Sequence, residues 1–165
     1  MSSDQFVVSS PSISSNGPIP EKHYWNDFGC TGGNISPGLK WSGAPKETKS
    51  FAITVYDSDA PTGSGFWHWV AYNFPANVTS LEEGAASLGN LPAGVVEGNT
   101  DLGKPGWFGP CPPPGRVHHY HFTVHALKTE KLELPSNATA AFVGFMLWQN
   151  TIAKAMLTGT GGPRK

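Results

Sequence analysis

The side chains of this sequence best equipped for chemistry are carboxylates and imidazoles in three short stretches. Asp57-Ser58-Asp59-Ala60-Pro61 closes an apolar run, His68 sits within Phe66-Trp67-His68-Trp69-Val70, and His118-His119-Tyr120-His121 is followed by His125. Four of the six histidines therefore lie in one segment. A carboxylate beside an imidazole fixes its tautomer and frees the outer nitrogen for a ligand. The same pair can move protons as a general acid and base, and imidazoles in number can hold a metal. Imidazole N–H groups and a phenol such as Tyr120 suit the acceptor oxygens of a phosphate. A metal reading would use His119, His121 and His125, but no carboxylate or cysteine stands in register with them. Asp57 and Asp59 alone read first as turn carboxylates capping backbone amides. Neither Ser58 nor Ser64 sits in a nucleophile elbow, and no phosphate-binding or dinucleotide fingerprint is present.

These groups need elements to hold them. Residues 50–57 alternate cleanly, with Phe51, Ile53, Val55 and Asp57 on one face, so the strand delivers Asp57 to the end of an apolar face. Residues 66–74 read as another strand, with Phe66, His68, Val70 and Tyr72 on one face and Trp67, Trp69, Ala71 and Asn73 on the other. The segment Gly109-Pro110-Cys111-Pro112-Pro113-Pro114-Gly115 is barred from helix interiors and central strands, because proline fixes φ and lacks an amide donor. It feeds a strand over 117–128, where alternation pairs His118 with Tyr120 and turns His119, His121 and His125 the opposite way. Shorter strands are expected at 6–9, 39–41 and 95–97, and one helical turn at 81–88. A shaped loop spans Gly29 to Pro37. Residues 138–157 carry the one long helical pattern, with Gly144 inside it.

Composition narrows the class. A chain of 165 residues with 38% hydrophobic and 14% charged residues is expected to form a single domain over 1–165. Glycine (20) and proline (15) are spread along the whole length, which suits many short strands joined by turns. A net charge of −1 with scattered Lys and Arg argues against a nucleic-acid surface or a polybasic membrane patch. With no apolar run of membrane-spanning length and no basic leader, the expectation is a soluble, cytoplasmic protein. Cys30 and Cys111 lack zinc-type spacing; two reduced thiols are the default reading and one disulfide the alternative.

Taken together the motifs resemble the phosphatidylethanolamine-binding protein family, which includes the Raf kinase inhibitor proteins. The resemblance rests on Asp57-Ser58-Asp59-Ala60-Pro61, on His68 in Phe-Trp-His-Trp-Val, on Gly109-Pro-Cys-Pro-Pro-Pro-Gly and on His118-His119-Tyr120, over about residues 20–160. The Gly33-Asn34-Ile35-Ser36-Pro37 loop and the His-His-Tyr form resemble its bacterial and archaeal branch. Ser58 stands where the family motif has proline, and His119 where it has arginine. The resemblance implies a mainly β fold, a Greek-key antiparallel β-sandwich with a short C-terminal helical segment. It also implies a small anion pocket lined by Asp57, His68, His118 and Tyr120, with Asp59, Pro61, Gly109, Pro110 and Pro112 shaping its rim. The expected occupant is phosphate or a phosphoethanolamine headgroup, and a kinase-like protein partner is implied by the relatives. No cofactor or metal is implied. A hydrolase using Asp57 with His68 or His118 is the alternative. The resemblance further implies a cis Ala60–Pro61 bond turning the chain beneath the pocket.

Overall fold

The computed structural model describes residues 5–164. In chain order the elements are β1 (Val7–Ser9), β2 (Leu39–Ser42), β3 (Ser50–Asp57), β4 (Phe66–Pro75), β5 (Ser80–Leu81), β6 (Val96–Glu97), β7 (His118–Leu127), α1 (Ala140–Asn150) and β8 (Thr151–Gly161). The strands form a small sheet, β1-β2-β5, and a large one, β6-β4-β3-β7-β8, with antiparallel pairing throughout both.

Two apolar layers explain the arrangement. Phe6, Leu39, Trp41 and Leu81 of the small-sheet layer pack against Phe51, Ile53, Val55, Trp69, Phe122 and Val124 of the large sheet. On the other face of the large sheet, Ala52, Val70, Tyr72 and Leu127 lie under Val143 and Leu147 of α1. The central strands β3 and β7 are thus covered on both faces, and most of their residues are buried regardless of parity. The protein is mainly β with a single short helix.

Three expectations need correction. The helical pattern expected over 138–157 ends at Asn150, and the chain turns directly into β8. Past Asn150 the buried residues are Ala155, Leu157, Gly159 and Gly161, a period of two that matches a strand along β7 rather than a helix. The helix also begins later than residue 138, at Ala140, capped by Thr139, whose hydroxyl accepts the Phe142 N–H at 3.1 Å.

The second correction concerns β4. Val55 pairs with Trp69 but Tyr56 pairs with Trp67, so His68 is the extra residue of a β-bulge. Trp69 packs in the inter-sheet core while Trp67 packs toward the helix side. His68 lies against Tyr120, an inter-sheet residue, at 5.3 Å between ring centroids. His68 therefore shares the face of Trp69, not that of Val70 and Tyr72. A second shift, between Phe51 and Ile53, coincides with Asn73 at φ 68° and returns Phe74 to the inter-sheet core. Asn73 is held there by Leu132, whose N–H it accepts at 2.8 Å and whose carbonyl its amide meets at 3.1 Å.

Third, the X–Pro bond found cis is Gly162–Pro163, and Ala60–Pro61 is trans. The turn after β3 is instead made by Asp57 itself, whose Oδ1 accepts the Asp59 N–H at 2.8 Å.

Candidate ligand pocket

At the end of the large sheet, where β3 stops and β4 and β7 start, a cavity of about 280 Å³ opens between loops. Asp57 reaches it because it shares the inward face of Phe51, Ile53 and Val55. His118 reaches it as the first residue of β7, and His68 through the bulge. Both histidines and Asp57 are nearly sealed, at 8%, 4% and 3% exposure respectively.

The buried polar groups are paired in a definite sense. His118 donates Nδ1–H to Asp57 Oδ2 at 2.6 Å. His68 donates Nδ1–H to the Phe108 carbonyl at 2.7 Å, since a carbonyl can only accept. Each imidazole therefore has Nε2 left over, and both rings border the cavity. Burial pushes the His68 imidazole below its ordinary range, against smaller opposing effects of the Phe108 carbonyl and the Asp57 charge. Behind the two histidines stands Tyr120, 1% exposed, its phenol pushed up by burial and then by the Asp57 charge. Its hydroxyl is buried with no hydrogen-bond partner among the described residues.

The rim is built by loops. Trp25, Phe28, Phe66 and Phe108 give it aromatic walls, with Trp25 stacked on Phe28 at 5.7 Å and edge-on to Phe108 at 6.0 Å. Leu102, Ala60, Pro61 and Thr62 close the other side. The proline segment contributes Cys111 and Pro113. Asn34, at φ 53°, clips the start of that segment by accepting the Gly109 N–H at 2.8 Å and donating to the Trp107 carbonyl at 3.2 Å. Gly109 is required there, because a Cβ would collide with the His23 carbonyl.

Cys30 and Cys111 are joined in a disulfide, with Cα atoms 5.9 Å apart, so the default reading of two free thiols does not hold. The Gly29–Pro37 loop and the proline segment lie against one another, which brings the cysteines within bonding distance across 81 residues of chain. The end of the chain adds a further tie: Arg164 bonds the Pro112 carbonyl through Nε and the Gly29 carbonyl through a guanidinium nitrogen.

Of the residues singled out in the sequence, Asp57, Pro61, His68 and His118 are brought together on the cavity wall. Tyr120 lies behind that wall. Gly109, Pro110 and Pro112 are also off it, their places on the cavity side taken by Cys111 and Pro113. Asp59 turns outward to His119, accepting its Nδ1–H at 2.7 Å and its backbone N–H at 2.8 Å. The His119 imidazole holds the Asp59 carboxyl below the usual carboxylate range. His121 lies on the same outward face, between Ser58 Oγ and Thr158 Oγ1, each at 2.9 Å. His119 and His121 thus point away from the cavity, as strand alternation requires. Sequence reasoning missed Trp25, Phe28, Phe66, Leu102 and Phe108, which come from separate segments and share no spacing. Cys111 and Pro113, also on the wall, lie within the Gly109–Gly115 segment that the sequence marked.

The comparisons with known proteins agree with one another. A sequence profile described as phosphatidylethanolamine-binding protein matches residues 9–162. The UPF0098 protein YbcL of Escherichia coli is 51% identical over 156 residues, covering 93% of this chain and 85% of that protein. Its crystal structure superposes with a TM-score of 0.91 at 50% identity, covering 95% of this chain and 98% of the other. The structure of CT736 from Chlamydia trachomatis matches with a TM-score of 0.79 at 31% identity, over 94% and 95% of the two chains. A Mycobacterium tuberculosis protein named as a lipoprotein, LppC, is 34% identical over 160 residues, 95% of this chain and 72% of its own length. On the profile match over residues 9–162 and the 51% identity to YbcL, the chain belongs to the phosphatidylethanolamine-binding protein family.

Proposed function

We propose that the pocket binds a phosphoryl group carried on a small headgroup, phosphoethanolamine being the reference ligand. The observation that carries this reading is the pair of Nε2 atoms, on His68 and His118, left over at the floor of a cavity with aromatic walls. Because each Nδ1–H is already committed, a neutral ring presents Nε2 as an acceptor, which a phosphate dianion cannot use. Binding therefore requires one proton more than a neutral ring and a phosphate dianion carry between them. The proton goes onto an imidazole, making Nε2 a charged donor, or stays on the phosphoryl group, which then donates to Nε2. Both routes have the same sign: affinity falls as pH rises above about 6, where the phosphoryl group loses its second proton. The depressed His68 range extends the gain to lower pH.

The experiment is calorimetric titration with phosphoethanolamine at pH 5.5 and 8.5, in buffers of different ionisation enthalpy. Net proton uptake on binding is expected. His118→Ala should weaken binding by about 1.5–3 kcal/mol, the scale of a charged hydrogen bond, or roughly 10- to 150-fold. Equal affinity at both pH values, together with unchanged affinity in His118→Ala and His68→Ala, would remove the pocket from consideration.

A hydrolytic reading needs a nucleophile beside Asp57 and His118. The nearest serine in the chain, Ser58, turns its hydroxyl outward to His121 instead. The disulfide bears on where the pocket works. Such bonds persist in oxidising compartments, and the mycobacterial relative's name as a lipoprotein points the same way. We therefore favour an oxidising compartment over the cytoplasm.

A further inference from the structure

Away from that pocket, α1 leaves a groove of about 410 Å³ against the outer face of the large sheet, within the size range of small-molecule sites. Trp67, Leu147, Trp148 and Ile152 supply its apolar surface, and His125 and Lys154 its nitrogen groups. Trp148 is 76% exposed at the mouth, while Trp67 rests on Tyr56 at 4.4 Å between ring centroids.

Three features distinguish this groove from an ordinary seam between helix and sheet. Its charge is of one sign. Lys154 is the single charged residue in the lining, and the chain has no Asp or Glu after Glu133. Next, His125 lies directly across from Lys154 in the β7–β8 register and is half-buried. Its Nε2 meets Thr54 Oγ1 at 3.0 Å, and its Nδ1 has no partner among the described residues. With Thr54 donating to Nε2, Nδ1–H faces an occupant as a neutral donor.

The third feature is Gly144, which lies inside a continuous α1 at a cost of about 1 kcal/mol relative to alanine. Packing does not demand it. A Cβ there would meet just one neighbour within 4 Å, Trp67 Cζ2 at 3.9 Å, an ordinary contact. It lines the groove beside Trp67, and a side chain longer than a methyl would project against the indole.

We propose that this groove is a second ligand site, taking a compact aromatic carboxylate whose ring lies along Trp67 and Trp148 and whose carboxylate meets Lys154 and His125. With Lys154 and no acidic residue in its lining, the groove is positive. A small anion has the complementary charge.

The test is titration of the whole protein with 2-naphthoate, followed by tryptophan fluorescence and calorimetry. Saturable 1:1 binding is expected with a dissociation constant on the order of 100 µM. The neutral analogue 2-naphthalenemethanol should bind at least tenfold more weakly. Lys154→Met should weaken naphthoate at least tenfold and leave the neutral analogue unchanged. Gly144→Leu should block both. Gly144→Ala, which the helix tolerates, should stay folded and bind less tightly, so that lost binding is separable from lost fold. Excess phosphoethanolamine should not displace naphthoate. Displacement would put naphthoate in the phosphoryl pocket and overturn the proposal, while leaving the pocket reading intact. Full affinity in Gly144→Leu and Lys154→Met would also overturn it. Decanoate binding as tightly as naphthoate would assign the groove to an acyl chain instead. Concentration-dependent dimers lost in Trp148→Ala would assign it to a second copy.

Discussion

Replacing Cys30 and Cys111 together by serine should lower the unfolding free energy by about 4 kcal/mol, a large share of the roughly 5–15 kcal/mol margin of a typical domain. The bond spans 81 residues, and cross-linking a chain of that length restricts the unfolded ensemble by about 4.5 kcal/mol in the chain-entropy account. The double variant should still fold. The same loops are also tied by Trp25 N–H to the Pro110 carbonyl at 3.1 Å, by Asn34 to Gly109, and by Arg164 to Pro112. Urea denaturation should show a lower midpoint and a steeper dependence on denaturant, because the uncrosslinked unfolded chain exposes more surface. A loss below about 1 kcal/mol, with both cysteines already open to alkylation in the native protein, would mean that the bond does not constrain the chain in solution.

The second large effect is expected from acid. His23, His68 and His125 all have imidazoles pushed down chiefly by burial, His125 to about 4 with Lys154 as the next cause. An unfolded histidine titrates near 6.5, so between those values the unfolded chain binds more protons than the folded one. The stability these residues contribute is complete above about pH 6.5 and is lost as pH falls below it, for His125 toward about 4. For His125 the full shift corresponds to about 3 kcal/mol; its ring borders an open groove, so about 2 kcal/mol is the expected share. Chemical denaturation at pH 7 and pH 4.5 measures it. His125→Gln, which stays neutral and keeps a hydrogen-bonding group near Thr54, should lose correspondingly less between the two. The same loss in wild type and variant would contradict the assignment.

How far the sequence foretold the site depended on how regular each strand was. Asp57 could be placed because β3 keeps strict register with β7 from Ser50 to Asp57, so the parity of Phe51, Ile53 and Val55 carries to the end. His118 and Tyr120 followed from the same regularity in β7. His68 could not be placed by parity. Alternation groups it with Val70 and Tyr72, and nothing in Trp67-His68-Trp69, aromatic throughout, marks where the bulge falls. The bulge is set by pairing with β3, a long-range effect that local sequence does not encode. β8 illustrates the opposite conflict. Ala153, Ala155, Met156 and Leu157 are good helix formers, and α1 leads straight into them. Pairing with β7 over His118 to Leu127 overrides that preference. In the proline segment, the family motif named Pro110 and Pro112 as rim residues. The structure turns Cys111 and Pro113 to the cavity and Pro112 to Arg164, an orientation fixed by the disulfide and the chain end. The aromatic walls were beyond local reading, since Trp25, Phe66 and Phe108 meet only once the loops have folded.

The most direct test of the pocket reading is a crystal soaked with phosphoethanolamine below pH 6 and compared with one soaked at pH 8.5. At the lower pH the phosphoryl group should lie between His68 Nε2 and His118 Nε2, about 2.7–2.9 Å from each. The ethanolamine arm should then lie toward Trp25 and Phe108. Occupancy should drop at pH 8.5. A saturated soak that leaves the floor of the cavity without phosphorus density, or that seats the phosphoryl group on the outer face beside His119, would contradict it.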